Sequence, residues 1–109
     1  MADILADLAD LYHQLLRWRH CPEGRGASWR SGLRARRRAI ARTLQDAPHL
    51  RPLLHDAETL EIAWGLAAAA AATETGEKDL PALPPWTVDQ ILDPAFHPDG
   101  PRLRPRRDC

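Results

Sequence analysis

This chain of 109 residues predicts an all-α fold: three longer helices, one short C-terminal helix and a proline-rich strap. Three observations carry that reading. Apolar residues recur at helical spacing in three successive segments. Pro and Gly cluster between those segments and interrupt them. Residues suited to helix ends stand where the segments start or stop.

The first helix is expected over 3–19, with Asp3 as its cap. Ile4, Leu8, Leu11, Leu15 and Trp18 are spaced four, three, four and three apart, which is one helix face. Leu5, Tyr12 and Leu16 widen it, and Asp10, Gln14 and Arg17 fall opposite. Pro22, Gly24 and Gly26 then end the helix, and Gly24-Arg25-Gly26 reads as the hinge into the second.

The second helix runs from Ser28 to about Gln45. Trp29, Leu33, Ile40 and Leu44 make its apolar face. Arg30, Arg34, Arg37, Arg38 and Arg42 are read together as the far, polar face. Arg36 falls on the core stripe and requires a carboxylate partner or a subunit interface. Asp56 and Glu61 are its candidate partners.

Asp46-Ala47-Pro48 breaks the chain. Pro52 suits the first turn of a third helix, which runs to about Thr75 with Gly76 as a left-handed C-cap. A separate short turn at 48–55 is the alternative. Leu53, Ala57, Leu60, Trp64, Ala67 and Ala71 form one stripe. From Ile62 to Ala72 the helix is apolar all round, so it is expected to be covered on more than one side. Its six consecutive alanines, Ala67 to Ala72, permit close helix approach.

Beyond Gly76 comes Leu80-Pro81-Ala82-Leu83-Pro84-Pro85, an extended strap. Thr87 and Gln90 have the spacing of a capping box for a short helix holding Ile91 and Leu92. Trp86 and Phe96 are the expected anchors of the strap on the second face of the third helix. Residues 1–97 form one domain in this reading, and 98–109 an Arg/Pro tail with too little to bury to be ordered.

The charges are strongly patterned. Fifteen basic residues balance fifteen acidic ones, so net charge is zero. Yet residues 17–42 hold nine Arg against one Glu, between acidic segments on either side. No apolar run approaches the roughly 20 residues of a membrane span, and no signal peptide is legible at Met1. Two cysteines, Cys21 and Cys109, exclude a disulfide-dense scaffold and a four-thiolate metal site. A cytoplasmic protein with reduced thiols is expected. Heavy use of Arg, Ala and Pro suits a GC-rich bacterial source.

Sites are weighed against plainer readings. Guanidinium groups at Arg30, Arg34, Arg37, Arg38 and Arg42 can track a phosphate backbone. The plainer reading, a solvated face paired with the acidic helices, is preferred. Trp18 and Trp29 can stack on bases, but both lie on core stripes. With Trp64, Trp86 and Phe96 they are read as structural anchors. His49 and His55 do not fall on one helix face, adjacent His20 and Cys21 are poor geometry for two ligands to one ion, His13 reads as a surface residue, and no Glu-x-x-His is present, so no metal or other cofactor is expected. Cys21, beside Arg19 and His20, lacks a positioned base, and no catalytic residue is assigned. Asp56, Glu58 and Glu61 read as a hydrated helix face. The basic tail from Pro101 to Arg107 can add unspecific polyanion affinity.

The segment Leu16-Arg17-Trp18-Arg19-His20-Cys21-Pro22-Glu23-Gly24-Arg25-Gly26-Ala27-Ser28-Trp29-Arg30 resembles the signature of a bacterial family catalogued as domain of unknown function 29. So does the block from Pro85 to Phe96. Arg37-Arg38-Ala39-Ile40-Ala41-Arg42, Leu50-Arg51-Pro52 and Thr73-Glu74-Thr75-Gly76 fall between them in the family's order. The resemblance covers about residues 5–98 and implies an up-and-down helical bundle with no established activity. It also implies a further N-terminal stretch before the first helix, absent here, whose loss would leave an apolar face uncovered. The expected function is a non-catalytic module for protein interaction or self-association, as a homo-oligomer, most simply a dimer, or with an unidentified protein partner. The alternative is a nucleic-acid-binding protein that uses the arginine face; no membrane association is expected.

Overall fold

The structure, a computed structural model, describes residues 4–20, 27–76 and 80–96, without the side chains of 18–20, 27–29 and 75. Helix α1 (Ile4–His20) is followed by α2 (Ala27–Asp46), a 3-10 helix (Pro48–His55), α3 (Ala57–Thr75) and the short α4 (Val88–Leu92). No strand occurs among the described residues, and the fold is the all-α bundle expected. The Asp3 cap, the Gly24–Gly26 hinge, the side chains of Trp18 and Trp29, Cys21, Cys109 and the 98–109 tail lie outside the described residues.

Helix α1 is the central element. It packs along α3 and, on another side, against α2, whereas α2 and α3 meet each other far less. Its stripe widens as the spacing requires: Ile4, Leu8, Leu11, Tyr12, Leu15 and Leu16 are all buried. Each such side chain contributes about 1.5–3 kcal/mol by leaving water. From α3, Ala63, Trp64, Ala67 and Ala71 face inward, and the three small alanines let the two helices approach. Helix α2 adds Leu33, Ile40 and Leu44.

The third helix begins later than Pro52, and the alternative, a separate short turn at 48–55, is the one that forms. The segment around that proline forms the 3-10 helix, and Asp56 then breaks into extended backbone (φ −88°, ψ 113°) to cap α3. Its carboxylate accepts from the Thr59 amide at 3.1 Å and from the Thr59 hydroxyl at 2.6 Å. A Pro inside this stretch lacks the amide an α-helix would use, and Asp56 supplies the stronger start signal. The helix ends where expected: Gly76 has φ 73°, and its amide donates to the Ala72 carbonyl at 2.8 Å.

The strap covers the second face of α3. The Trp64 indole donates to the Pro81 carbonyl at 2.8 Å. A run of edge-on aromatic contacts links the core to the strap: Tyr12 to Trp64 at 5.4 Å, Trp64 to Trp86 at 5.7 Å, and Trp86 to Phe96 at 6.2 Å. The capping box of α4 is formed, with the Gln90 amide donating to the Thr87 hydroxyl at 3.1 Å and the Thr87 amide to Gln90 Oε1 at 2.9 Å. The Tyr12 hydroxyl is buried without a hydrogen-bond partner among the described residues, and burial pushes its pKa up to about 12.

A third face of α3 stays open. Ile62 and Leu66 are 47% and 56% exposed, and a side chain placed at Gly65 would meet nothing within 4 Å. Gly65→Ala is therefore expected to raise stability by about 0.5–1 kcal/mol, since a helical glycine there carries only its entropic cost. A shift of the urea midpoint at constant slope would register it. The Thr59 hydrogen bonds hold the Asp56 carboxyl below its ordinary value of 3.8. The native cap is thus fully effective above that value and is lost as pH falls through the lowered native one. Thermal melts of wild type and Asp56→Ala should differ most above pH 3.8 and converge below it.

Candidate functional site

Helix α2 carries its arginines on two sides, and the two do different work. At about 100° per residue, Arg36 and Arg37 flank the Leu33 stripe on either side, about 60° and about 40° away. Both are drawn toward the protein. Arg34, Arg38 and Arg42 point outward with Arg30, and all four are exposed.

Arg37 is the correction to the sequence reading. It does not share the exposed polar face; it is 7% exposed. Its Nε donates to the Ile91 carbonyl at 2.8 Å, one NH2 group to the Phe96 carbonyl at 2.8 Å, and the other to the Pro94 carbonyl at 3.4 Å. These carbonyls lie at the end of α4 and just beyond it, where a helix leaves acceptors without intrahelical donors. A planar fork with five donors suits that task better than any other side chain. Burial pulls the guanidinium below its ordinary value, and the nearby Asp93 carboxylate pushes it back up.

Arg36 pairs with acids as expected, but with others than Asp56 and Glu61. Its two NH2 groups lie 3.6 Å from Asp7 and 3.6 Å from Asp10, both on α1. The reason is the packing order: α2 lies against α1, and the start of α3 is elsewhere. His13, read as a surface residue, is half-buried instead. Its Nε2 stands 3.0 Å from a Glu74 oxygen, at ion-pair distance but without hydrogen-bond geometry, and Arg17 lies 3.3 Å from the other oxygen.

The outer row borders a groove between α2 and the strap. Arg30, Arg34, Arg37 and Arg38 line one side with Ala41, and Leu92 and Pro94 line the other. Its volume is about 540 Å³. Arg30, Arg34 and Arg38 are spaced four residues apart, so their guanidinium stems rise about 6 Å per step along one helix edge. The groove is thus cationic on one wall and apolar on the opposite one. Arg34 and Arg38 make no ion pair with a described residue. Arg42 is exposed on the same helix but does not line the groove.

Leu92 and Pro94 were not legible as site residues, because nothing local in the strap points to α2. The burial of Arg37 left one signal, its position four residues after Leu33 and three before Ile40 on the core stripe. Trp64, Trp86 and Phe96 come together in the aromatic run, and Trp18 and Trp29 have no described side chains. His49 and His55 are exposed on the 3-10 helix. Among the described residues no three His, Cys, Asp or Glu side chains gather as metal ligands, and no helix is long and apolar enough to cross a membrane.

A small all-α domain with a cationic groove between its second helix and a C-terminal strap is the class these features define. The chain belongs to the family described as domain of unknown function DUF29, whose profile matches residues 2–97. No curated protein and no solved structure matches it.

Replacing Arg37 leaves up to three carbonyls without a donor, each costing about 1–3 kcal/mol where burial is complete. Arg37→Ala is expected to destabilise the domain by about 2–4 kcal/mol, with the two partly buried carbonyls regaining water. Arg37→Lys should recover only part of that loss, because an ammonium cannot span three acceptors. Arg34→Ala should stay within about 0.5 kcal/mol of wild type. Urea unfolding followed by tryptophan fluorescence tests all three.

Proposed function

We propose that this domain is a non-catalytic interaction module that takes an acidic segment of a partner protein in the arginine groove. The observation that carries the reading is the pairing of a row of exposed guanidinium groups with an apolar wall of Leu92 and Pro94 across one groove. An acidic segment with apolar residues beside its carboxylates satisfies both walls at once. Guanidinium forks favour carboxylates and phosphates alike, so the apolar wall is what favours protein.

Three features weigh against a nucleic-acid track. The row from Arg30 to Arg38 spans only about 12 Å of helix. The large apolar side chains exposed among the described residues are Ile62, Leu66 and Leu83, none of them a stacking platform for bases. The chain has zero net charge, with acidic segments flanking the basic one, so its long-range field does not draw in a polyanion.

Fluorescence anisotropy separates these partners. Labelled peptides of alternating Glu and Leu, mixed-sequence duplex DNA and single-stranded RNA would be titrated at low and near-physiological salt. The peptide is expected to bind, and Arg34→Glu/Arg38→Glu to weaken it at least roughly tenfold with an unchanged melting temperature. Nucleic-acid binding that survives physiological salt, with a log–log slope of several times about −0.9, would overturn the reading. So would a peptide that does not bind.

A further inference from the structure

The open face of α3 has the character the groove requires. Glu58, Glu61, Ile62, Gly65, Leu66 and Ala69 fall within one arc of about 140° on that helix, and all are exposed. The arc is acidic at its start and apolar along its middle. Neither α1, the strap nor the 3-10 helix covers Ile62 or Leu66, which keep 47% and 56% of their surface. Gly65 between them has open space above it, so a partner's side chains can approach the backbone there.

Resting on the reading of the groove as a site for an acidic segment, we infer that its partner is a second copy of this chain. The acidic and apolar face of α3 on one copy enters the arginine groove of the next. Glu58 and Glu61 would then face Arg34 and Arg38, and Ile62 and Leu66 would cover the wall of Leu92 and Pro94. Charge complementarity supports this choice of occupant. The molecule carries a basic groove bordered by the exposed Arg30, Arg34 and Arg38, and an acidic, apolar helix face that opens with Glu58 and Glu61. A partner bearing the same face as α3 is therefore present at whatever concentration the chain itself reaches.

The groove and the face are different surfaces, so the contact is heterologous: each copy offers a groove to one neighbour and a face to another. One helix face in one groove is a small interface, which makes the association weak and concentration-dependent. Its exposed ion pairs make it salt-sensitive.

Sedimentation velocity of the full chain over a wide concentration range tests this. Self-association that grows with concentration at low salt and recedes at high salt is expected. The groove variant Arg34→Gln/Arg38→Gln and the face variant Glu61→Gln/Leu66→Gln change only exposed residues and should each be monomeric and folded. Mixed in equal amounts, they should form a heterodimer that grows no further, since one intact face meets one intact groove. A wild type that stays monomeric throughout, or an association that either variant leaves intact, would overturn the inference. If a monomeric wild type still binds the acidic peptide, only the second copy is ruled out and the groove reading stands. If it neither associates nor binds peptide, both fall.

Discussion

The Arg37 guanidinium ties the C-terminal third of this chain to its N-terminal half. Helix α4 is five residues long, far below what a helix needs to persist alone. Its carbonyls and those of the turn behind it face α2, where Arg37 donates to three of them. Taking a cation out of water is costly, and the cost is offset only because several charge-assisted hydrogen bonds form together. Phe96 packs on Trp86 and Trp86 on Trp64, and the strap closes over α3. The Arg37 contact sets Leu92 and Pro94 opposite the outer arginine row. Arg37 thus fixes the strap and the shape of the groove, together with the Trp64–Pro81 hydrogen bond and the buried Ile91.

The remaining charges are divided by surface. Arg36 with Asp7 and Asp10, and Arg17 with Glu74 beside His13, join α1 to its two neighbours. These pairs are a third or more exposed on at least one side, and each adds little stability by itself. Their effect is to set the orientation of α2 and α3 about α1. With the inner charges matched, the excess positive charge gathers at the groove and the excess negative charge at the start of α3. A chain of zero net charge thus keeps two patches of opposite sign on separate faces.

Much of the fold was legible because it is local. The spacing of Ile4, Leu8, Leu11 and Leu15 names the buried side of α1 whatever covers it. Gly76 and the Thr87–Gln90 pair mark helix ends through bonds to residues within four positions. The start of α3 was left between Pro52 and a point beyond a separate turn at 48–55, because Pro52 suits the first turn of an α-helix as well as a short 3-10 helix. Choosing between them depends on how the 3-10 helix docks on α2, which is a tertiary matter. The arginine row was visible at Arg30, Arg34 and Arg38, but its apolar counterpart was not.

By itself the sequence determined the helical segments, the Gly76 and Thr87–Gln90 caps, the aromatic anchors of the strap, the inward side of α1 and that of α3 from Leu60 onward. All of these follow from periodicity and short-range hydrogen bonding. Only the tertiary structure decided what Arg36 and Arg37 do. Helical periodicity states that a side chain turns inward; it does not state what it meets. The acceptors of Arg37 lie 54 to 59 residues further along the chain, and they are backbone carbonyls, which every residue possesses and no side-chain pattern distinguishes. The groove is set by the same long-range contact, so it too became visible only once α2 and the strap were side by side.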